Sequence, residues 1–250
     1  MKAIARLILL VVLSGLALQL YFVSRIALMA VLDPESTAFE RSAIYSVTTT
    51  TGSLKWRQQW VPYSGISDNL KRAVIASEDA SFTEHDGVDI EALEKAWDKN
   101  AKAEKQASQG VQQSANRPAN GKAAVKAPKI VGGSTITQQL AKNIFLSGER
   151  TLLRKGQELV LTLLLERLLN KERILEIYLN SVEWGEGVFG AEAAAQHYYR
   201  KSAARLSAYE AARLAVMLPR PKYFETRPNS GYLSSRASTI AARMGGVELP

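Results

Sequence analysis

The chain has 250 residues, enough for one sizeable domain and an appendage. It contains no cysteine, which excludes disulfides and any thiolate metal site. Its formal charge of +8 directs it to anionic partners without choosing among nucleic acid, a membrane surface and a phosphate ester.

The N-terminus does choose. From Leu7 to Val23 every residue is apolar or small except Gln19, and apolar character resumes after Ser24-Arg25 through Leu32. At about 1.5 Å per residue such a helix exceeds the roughly 30 Å hydrocarbon layer, so residues 1–32 are expected to hold one membrane span. Lys2 and Arg6 precede the run while Asp33 and Glu35 follow it, which places the N-terminus in the cytoplasm and the remainder outside. An uncleaved anchor is favoured over a cleaved signal peptide, whose apolar stretch is usually shorter and ends at a small-residue site not clearly found here. An anchored exterior domain argues against a nucleic-acid partner, and no helix-turn-helix or zinc-finger spacing argues for one.

Residues 33–66 form a polar, Thr-rich membrane-proximal segment. Its Lys55, Trp56, Arg57, Trp60 and Tyr63 suit lipid head groups, although a short strand or loop capping the domain explains them as well. The domain proper is expected over 67–250. If Arg72 to Ala80 is a helix, Glu78 falls on the same face as the apolar Val74 and Ile75. A carboxylate buried there has its pKa raised toward the range of a general base, unless basic partners hold it ionised. Spacing alone allows equally that Glu78, Asp79, Glu84 and Asp86 solvate a helix end and a turn closed by Gly87.

Asp98 to Lys129 contains no Leu, Ile, Phe, Tyr or Trp, so it is expected as a mobile loop that cannot bury enough surface to offset its ordering entropy. After it, Gly132-Gly133-Ser134 leads to a helix opened by the capping box Thr135 to Gln138. A helix start behind a glycine pair is also an anion site. Gln138, Gln139 and Lys142 can share a face, and Arg150, Arg154 and Lys155 follow closely, a set of donors that suits a diphosphate. A basic solvated face accounts for the charges alone. Glu158 starts the apolar run Leu159 to Leu165, where a free carboxylate is costly; an intrahelical pair with Arg154 is the plain explanation. The helix over Leu152 to Leu169 is too apolar to be solvated on more than one side.

These stretches carry a resemblance. Glu78-Asp79, Phe82, His85 and Gly87 match the first signature of the peptidoglycan glycosyltransferases, the domain also found in penicillin-binding proteins. Gly132 to Asn143 is similar to the second signature at nearly every position, and Arg154-Lys155-Gly156-Gln157-Glu158 to the third. Lys171, Ile174-Leu175-Glu176 and Tyr178-Leu179-Asn180, with Gly185, Gly187 and Gly190, resemble the fourth, followed by a small-residue helix Ala191 to Tyr199. Leu206 to Leu218, an amphipathic helix stopped by Pro219 and Pro221, resembles the fifth. The signatures run in order from about Leu70 to Phe224.

The resemblance implies a mainly α, lysozyme-like helical glycosyltransferase domain behind one transmembrane helix. Its implied reaction is polymerisation of lipid II into β-1,4-linked glycan with release of undecaprenyl pyrophosphate, on the outer side of the bacterial inner membrane. Glu78 would be the catalytic base and Glu158 the second catalytic carboxylate. Asp79, Phe82, His85, Ser134, Gln138, Lys142, Asn143, Arg150, Arg154 and Lys155 would bind substrate, with Lys142 and Arg150 on the pyrophosphate and Lys155 stabilising the departing charge. No cofactor is required by the sequence; a divalent cation, Mg2+ or Mn2+, is implied as a helper at the pyrophosphate, although no residues form a recognisable metal site. Implied partners are lipid II, the growing lipid-linked glycan, the membrane and other cell-wall synthesis or division proteins. No Ser-x-x-Lys occurs, so no transpeptidase module is expected. A lysozyme-like hydrolase or lytic transglycosylase would use similar carboxylates but has no need of the cations, and a non-catalytic scaffold would have no need of Glu78.

Overall fold

The computed structural model describes residues 2–52, 56–115, 133–146 and 151–250. Lys55, Gly132, Arg150 and the 116–129 part of the expected loop lie outside the described residues.

The first helix, α1 (Lys2–Leu28), takes in all but the last four residues of the apolar stretch and is long and apolar enough to cross a membrane. Its far end is not free. Phe22, Ile26 and Met29 join the hydrophobic core of the following domain. Arg173 donates from Nε to the Met29 carbonyl at 2.8 Å and from a terminal nitrogen to the Leu32 carbonyl at 2.9 Å and the Asp33 carboxylate at 2.8 Å.

Helix α2 (Ala38–Thr51) follows, opened by a capping box in which Thr37 N–H donates to Glu40 at 2.7 Å and Glu40 N–H donates to Thr37 Oγ1 at 3.0 Å. Strand β1 (Arg57–Gln58) lies parallel to β3 (Val188–Phe189), which pairs antiparallel with β2 (Glu183–Gly185), giving the order β1-β3-β2. Asn180 binds this segment in both directions, accepting from Val61 N–H at 3.0 Å and donating to the Val61 carbonyl at 2.9 Å. Residues 56–66 are thus stitched onto the domain: Arg57–Gln58 form the strand and Tyr63–Gly65 a short 3-10 turn, with the Arg173 guanidinium 5.6 Å from the Trp60 ring.

The body is built from α3 (Asp68–Glu78), α4 (Ile90–Ala115), α5 (Ile136–Phe145), α6 (Leu152–Leu168), α7 (Lys171–Ser181), α8 (Ala191–Tyr199), α9 (Ala208–Met217), α10 (Pro221–Glu225) and α11 (Gly231–Arg243). The expected mainly α architecture is borne out. Helix α7 is its centre: Ile174, Leu175, Ile177 and Leu179 are fully buried, each such side chain stabilising the fold by roughly 1.5–3 kcal/mol. Helix α5 packs on α6 and α7, while α3 packs on α9 and α11. The junction between these two groups is where Glu78 and α5 meet. Helix α6 turns Leu161 and Leu165 inward and leaves Leu159, Val160 and Leu163 exposed on its outer side, a second apolar stripe on a helix against which α1 packs.

One expectation is corrected. Residues 98–115 are not loop but the continuation of α4. The absence of large apolar residues says that this stretch buries little, yet Ala, Lys, Glu and Gln are strong helix formers and the first proline comes only at Pro118. A solvated helix supported by pairs such as Lys95 with Glu91, at 2.5 Å, needs no apolar face.

Candidate active site

Helix α3 is capped by Ser67, whose side chain accepts from Leu70 N–H, and its buried stripe of Leu70, Ala73, Val74 and Ile75 fixes the helix in the core. Glu78 is its last residue, delivered to a cavity of about 460 Å³ lined also by Ser81, Asp89, Ser134, Arg236 and Arg243. Desolvation raises the pKa of Glu78 above the usual carboxylate range, and the adjacent Asp79 adds to the rise, while Gln139, Ser77 and Arg236 oppose it. Gln139 Nε2 donates to Glu78 at 3.0 Å and is itself oriented by Tyr178, whose hydroxyl donates to Gln139 Oε1 at 2.9 Å. Glu78 is therefore a partly buried carboxylate that borders the cavity while Gln139 holds one of its oxygens.

Asp79 holds two elements together. One of its oxygens accepts from Ile136 N–H at the start of α5, at 2.9 Å, and the other lies 2.9 Å from His85 Nε2. Desolvation works against a charged His85 ring, but the hydrogen bond to Asp79 and its charge prevail and raise the pKa. Thr135 caps α5 and donates from its hydroxyl to the Gly87 carbonyl at 2.7 Å. Gly87 stands at φ +86°, and a Cβ there would lie 2.7 Å from Thr162 Cγ2 and 2.8 Å from Glu166 Cγ, so no other residue fits. Glu166 accepts from Thr137 at 2.6 Å and from Lys171 at 2.9 Å, and Lys171 also donates to the His85 carbonyl at 2.5 Å. The turn after α3 is locked to α5, α6 and α7 by this network.

Opposite Glu78 on α5 begins a cationic side. Lys142 stands among charges of both kinds: its side chain reaches solvent, yet desolvation lowers its pKa, Arg154 and Lys155 lower it further, and Glu158 and Glu78 pull the other way. Glu158 is buried and bonded to Arg154 at 3.1 Å and to Lys155. Arg154 Nε is buried and has no hydrogen-bond partner among the described residues. Held on one edge by Glu158, the guanidinium adds fixed positive charge to this side of the site.

Among the described residues, the one group of His and carboxylate atoms close enough to hold a metal is Asp79, His85 and Asp89. Its atoms are already engaged: Asp79 with Ile136 and His85, and Asp89 with Ala92 N–H at 2.7 Å and with Ser81. Both ring nitrogens of His85 are committed, Nε2 toward Asp79 and Nδ1 as acceptor from Gly87 N–H at 3.1 Å, so neither has a lone pair to spare. These residues do not fit a resident cation.

The chain matches the family described as "Transglycosylase" over residues 46–245. It is 54% identical over 237 residues to the biosynthetic peptidoglycan transglycosylase of Burkholderia thailandensis, covering 95% of this chain and 84% of the relative. Proteins of the same name from Herminiimonas arsenicoxydans and Bordetella pertussis are each 49% identical over 249 residues, covering 100% of this chain and 98% and 95% of the relatives. The chain belongs to the transglycosylase family. The lysozyme-like helical fold implied by the resemblance is the fold of that family's domain.

Within this transglycosylase domain the anticipated residues divide. Glu78, Ser134, Lys142, Arg154, Lys155 and Glu158 gather around the end of α3 and the adjoining faces of α5 and α6, with half-buried Asn143 next to Lys142. Asp79 borders the cavity, but its oxygens are engaged by Ile136 and His85. Phe82 is fully buried beneath the Lys171 ammonium, 4.6 Å from its ring centre. Gln138 is turned back to the cap, accepting from Thr135 N–H at 3.1 Å. The amide that reaches Glu78 is Gln139 instead. Sequence reasoning also passed over Arg236 and Arg243 on α11, which line the cavity with Glu78; no spacing in the sequence ties α11 to α3, because only the tertiary packing brings them together.

Proposed function

We propose that this protein is a peptidoglycan glycosyltransferase that polymerises lipid II, a reading supported by relatives named biosynthetic peptidoglycan transglycosylase. One observation carries the reading: a single helix, α5, sets Gln139 on a buried carboxylate of raised pKa and, on its next turn, Lys142 among the cations around Glu158. A proton acceptor and a phosphate clamp therefore flank one groove.

In the proposed reaction Glu78 removes the proton from the 4-hydroxyl of the lipid II GlcNAc, and the oxygen attacks the anomeric carbon of the growing lipid-linked glycan. The new C–O bond forms on the face opposite the bond to the pyrophosphate, so the α-linked donor becomes a β-1,4 glycoside. Undecaprenyl pyrophosphate leaves with the bonding electrons, and Lys142, Arg154 and Lys155 neutralise its charge. Arg150, which the resemblance adds to this clamp, lies outside the described residues. Glu158 holds Arg154 and Lys155 in place between two bonds. Asp79, His85 and Phe82 position Glu78 and α5 without touching the sugar. No step passes through a metal. With α1 across the inner membrane, the domain works at its outer face.

The test is incubation of detergent-purified protein with labelled lipid II. Wild type is expected to give polymer, and Glu78→Gln to lose at least a hundredfold in rate. Equal polymer from both removes Glu78 as the base. Small soluble fragments released from preformed glycan, with no polymer from lipid II, overturn the synthetic reading in favour of a hydrolase.

A further inference from the structure

We infer that the membrane helix is a positioning part of the catalytic apparatus, and that the amide pair Gln19–Gln157 sets the depth at which α6 presents Arg154, Lys155 and Glu158 to a lipid-bound diphosphate. The inference rests on the lipid-diphosphate reading of the site given above. Gln19 is the one amide in the apolar run Leu7 to Val23. Its Nε2 donates to Gln157 Oε1 at 3.0 Å, and Gln157 Nε2 returns a longer bond to Gln19 Oε1 at 3.4 Å. Gln157 is the immediate neighbour of Glu158.

The contact continues along one face of α1 at helical spacing. The Phe22 ring meets Phe145 edge-on at 5.5 Å, and the Arg25 guanidinium lies 5.3 Å from the same ring. Phe145 ends α5, three residues after Lys142. The helix that crosses the bilayer therefore touches both elements that supply the cations, within one turn of Lys142 on α5 and of Arg154 and Lys155 on α6.

An amide in hydrocarbon must find a partner, because an unpaired one costs several kcal/mol. A helix serving only as a tether would insert at least as well with leucine at this position. Paired, the two glutamines fix both the rotation of α1 and its height against α6, since a slip of one turn, about 5.4 Å, separates them. Gln19 lies six residues before Arg25, about 9 Å further along the helix toward the bilayer centre. With Arg25 at the interface, the start of α6 is held below head-group level, where exposed Leu152 and Leu153 are at home. Arg154 and Lys155 leave the same turn, and their long side chains extend from it toward the phosphates of a lipid-linked substrate at the interface.

The experiment measures steady-state polymerisation by the full chain in liposomes containing lipid II, for wild type, Gln19→Leu, Gln157→Leu and the double variant. The same proteins are assayed in parallel on a short-chain, water-soluble lipid II analogue, with thermal unfolding recorded for each. Each single variant is expected to raise KM for the bilayer-embedded substrate about fivefold, with kcat within about twofold and an unchanged Tm. The double variant is expected to be no worse than either single one, and KM for the soluble analogue to stay at the wild-type value. An unchanged KM in liposomes overturns the inference. So does a rise that is equal on both substrates or that follows a fall in Tm, because that is the mark of a merely structural contact. A wild type inactive on both substrates would instead overturn the function on which the inference rests.

Discussion

Glu78 shows how one carboxylate serves chemistry at a cost to the fold. Its pKa is raised by burial, so the folded chain prefers it protonated. The native state thus binds the proton more tightly than the unfolded one, and stability falls as pH rises through the interval between the ordinary carboxylate value and the raised one. Above that interval the full penalty persists. Glu78→Gln is therefore expected to unfold at a higher temperature than wild type at neutral pH, and at the same temperature in acid, while its polymerisation is lost; calorimetry at two pH values checks this. Gln139 acts in the opposite sense, since its amide donates to the charged form. Gln139→Leu removes that donor, and the acid limb of the kcat/KM profile is expected to move to higher pH. A limb that stays in place would mean that Glu78 is not the group being titrated.

At the scale of elements, the turn between α3 and α4 depends on a few tight approaches. Gly87→Ala must accommodate both a positive φ and a methyl group pressed on Thr162 and Glu166, the latter already fixed by Thr137 and Lys171. Its expected cost is on the order of 3 kcal/mol, read as a lower denaturation midpoint with unchanged slope. How much of these elements was legible depends on how local their determinants are. The helix over α5 and its Thr135 cap, the extent of α6 and the span of α8 follow from capping residues and apolar runs within the element itself. Helix α2 was equally legible in the box from Thr37 to Glu40, but its Thr-rich body, with weak helix propensity, drew attention away from it. The exposed part of α4 was misread because low hydrophobicity does not distinguish a solvated helix from a loop. At the site, the motif residues were found by their spacing, but the division between those that face the groove and those that bind α5 to α3 was not. Asp79 and Ile136 meet only in three dimensions, and no periodicity distinguishes Gln139 from Gln138.

At the scale of the molecule, anchor and domain form one hydrophobic unit. Phe22, Ile26 and Met29 of the anchor region belong to the same core as α7, held there by close packing of the rings and aliphatic side chains. Removal of residues 1–32 is expected to lower Tm in detergent by on the order of 10 °C, beyond any loss of access to substrate. A chain without those residues that unfolds at the wild-type temperature would show that the docked face of α1 contributes nothing to the fold. The formal charge of +8 acts over a longer range, favouring approach to anionic lipids and phosphates.

The Arg173 strap, which ties the exit of α1 to the start of α7 through Met29, Leu32 and Asp33, has a mechanical meaning. A domain on a slack stalk could tilt freely about its root. One clasped there keeps a set angle and height relative to α1, so the groove beside Glu78 holds a constant orientation to that helix.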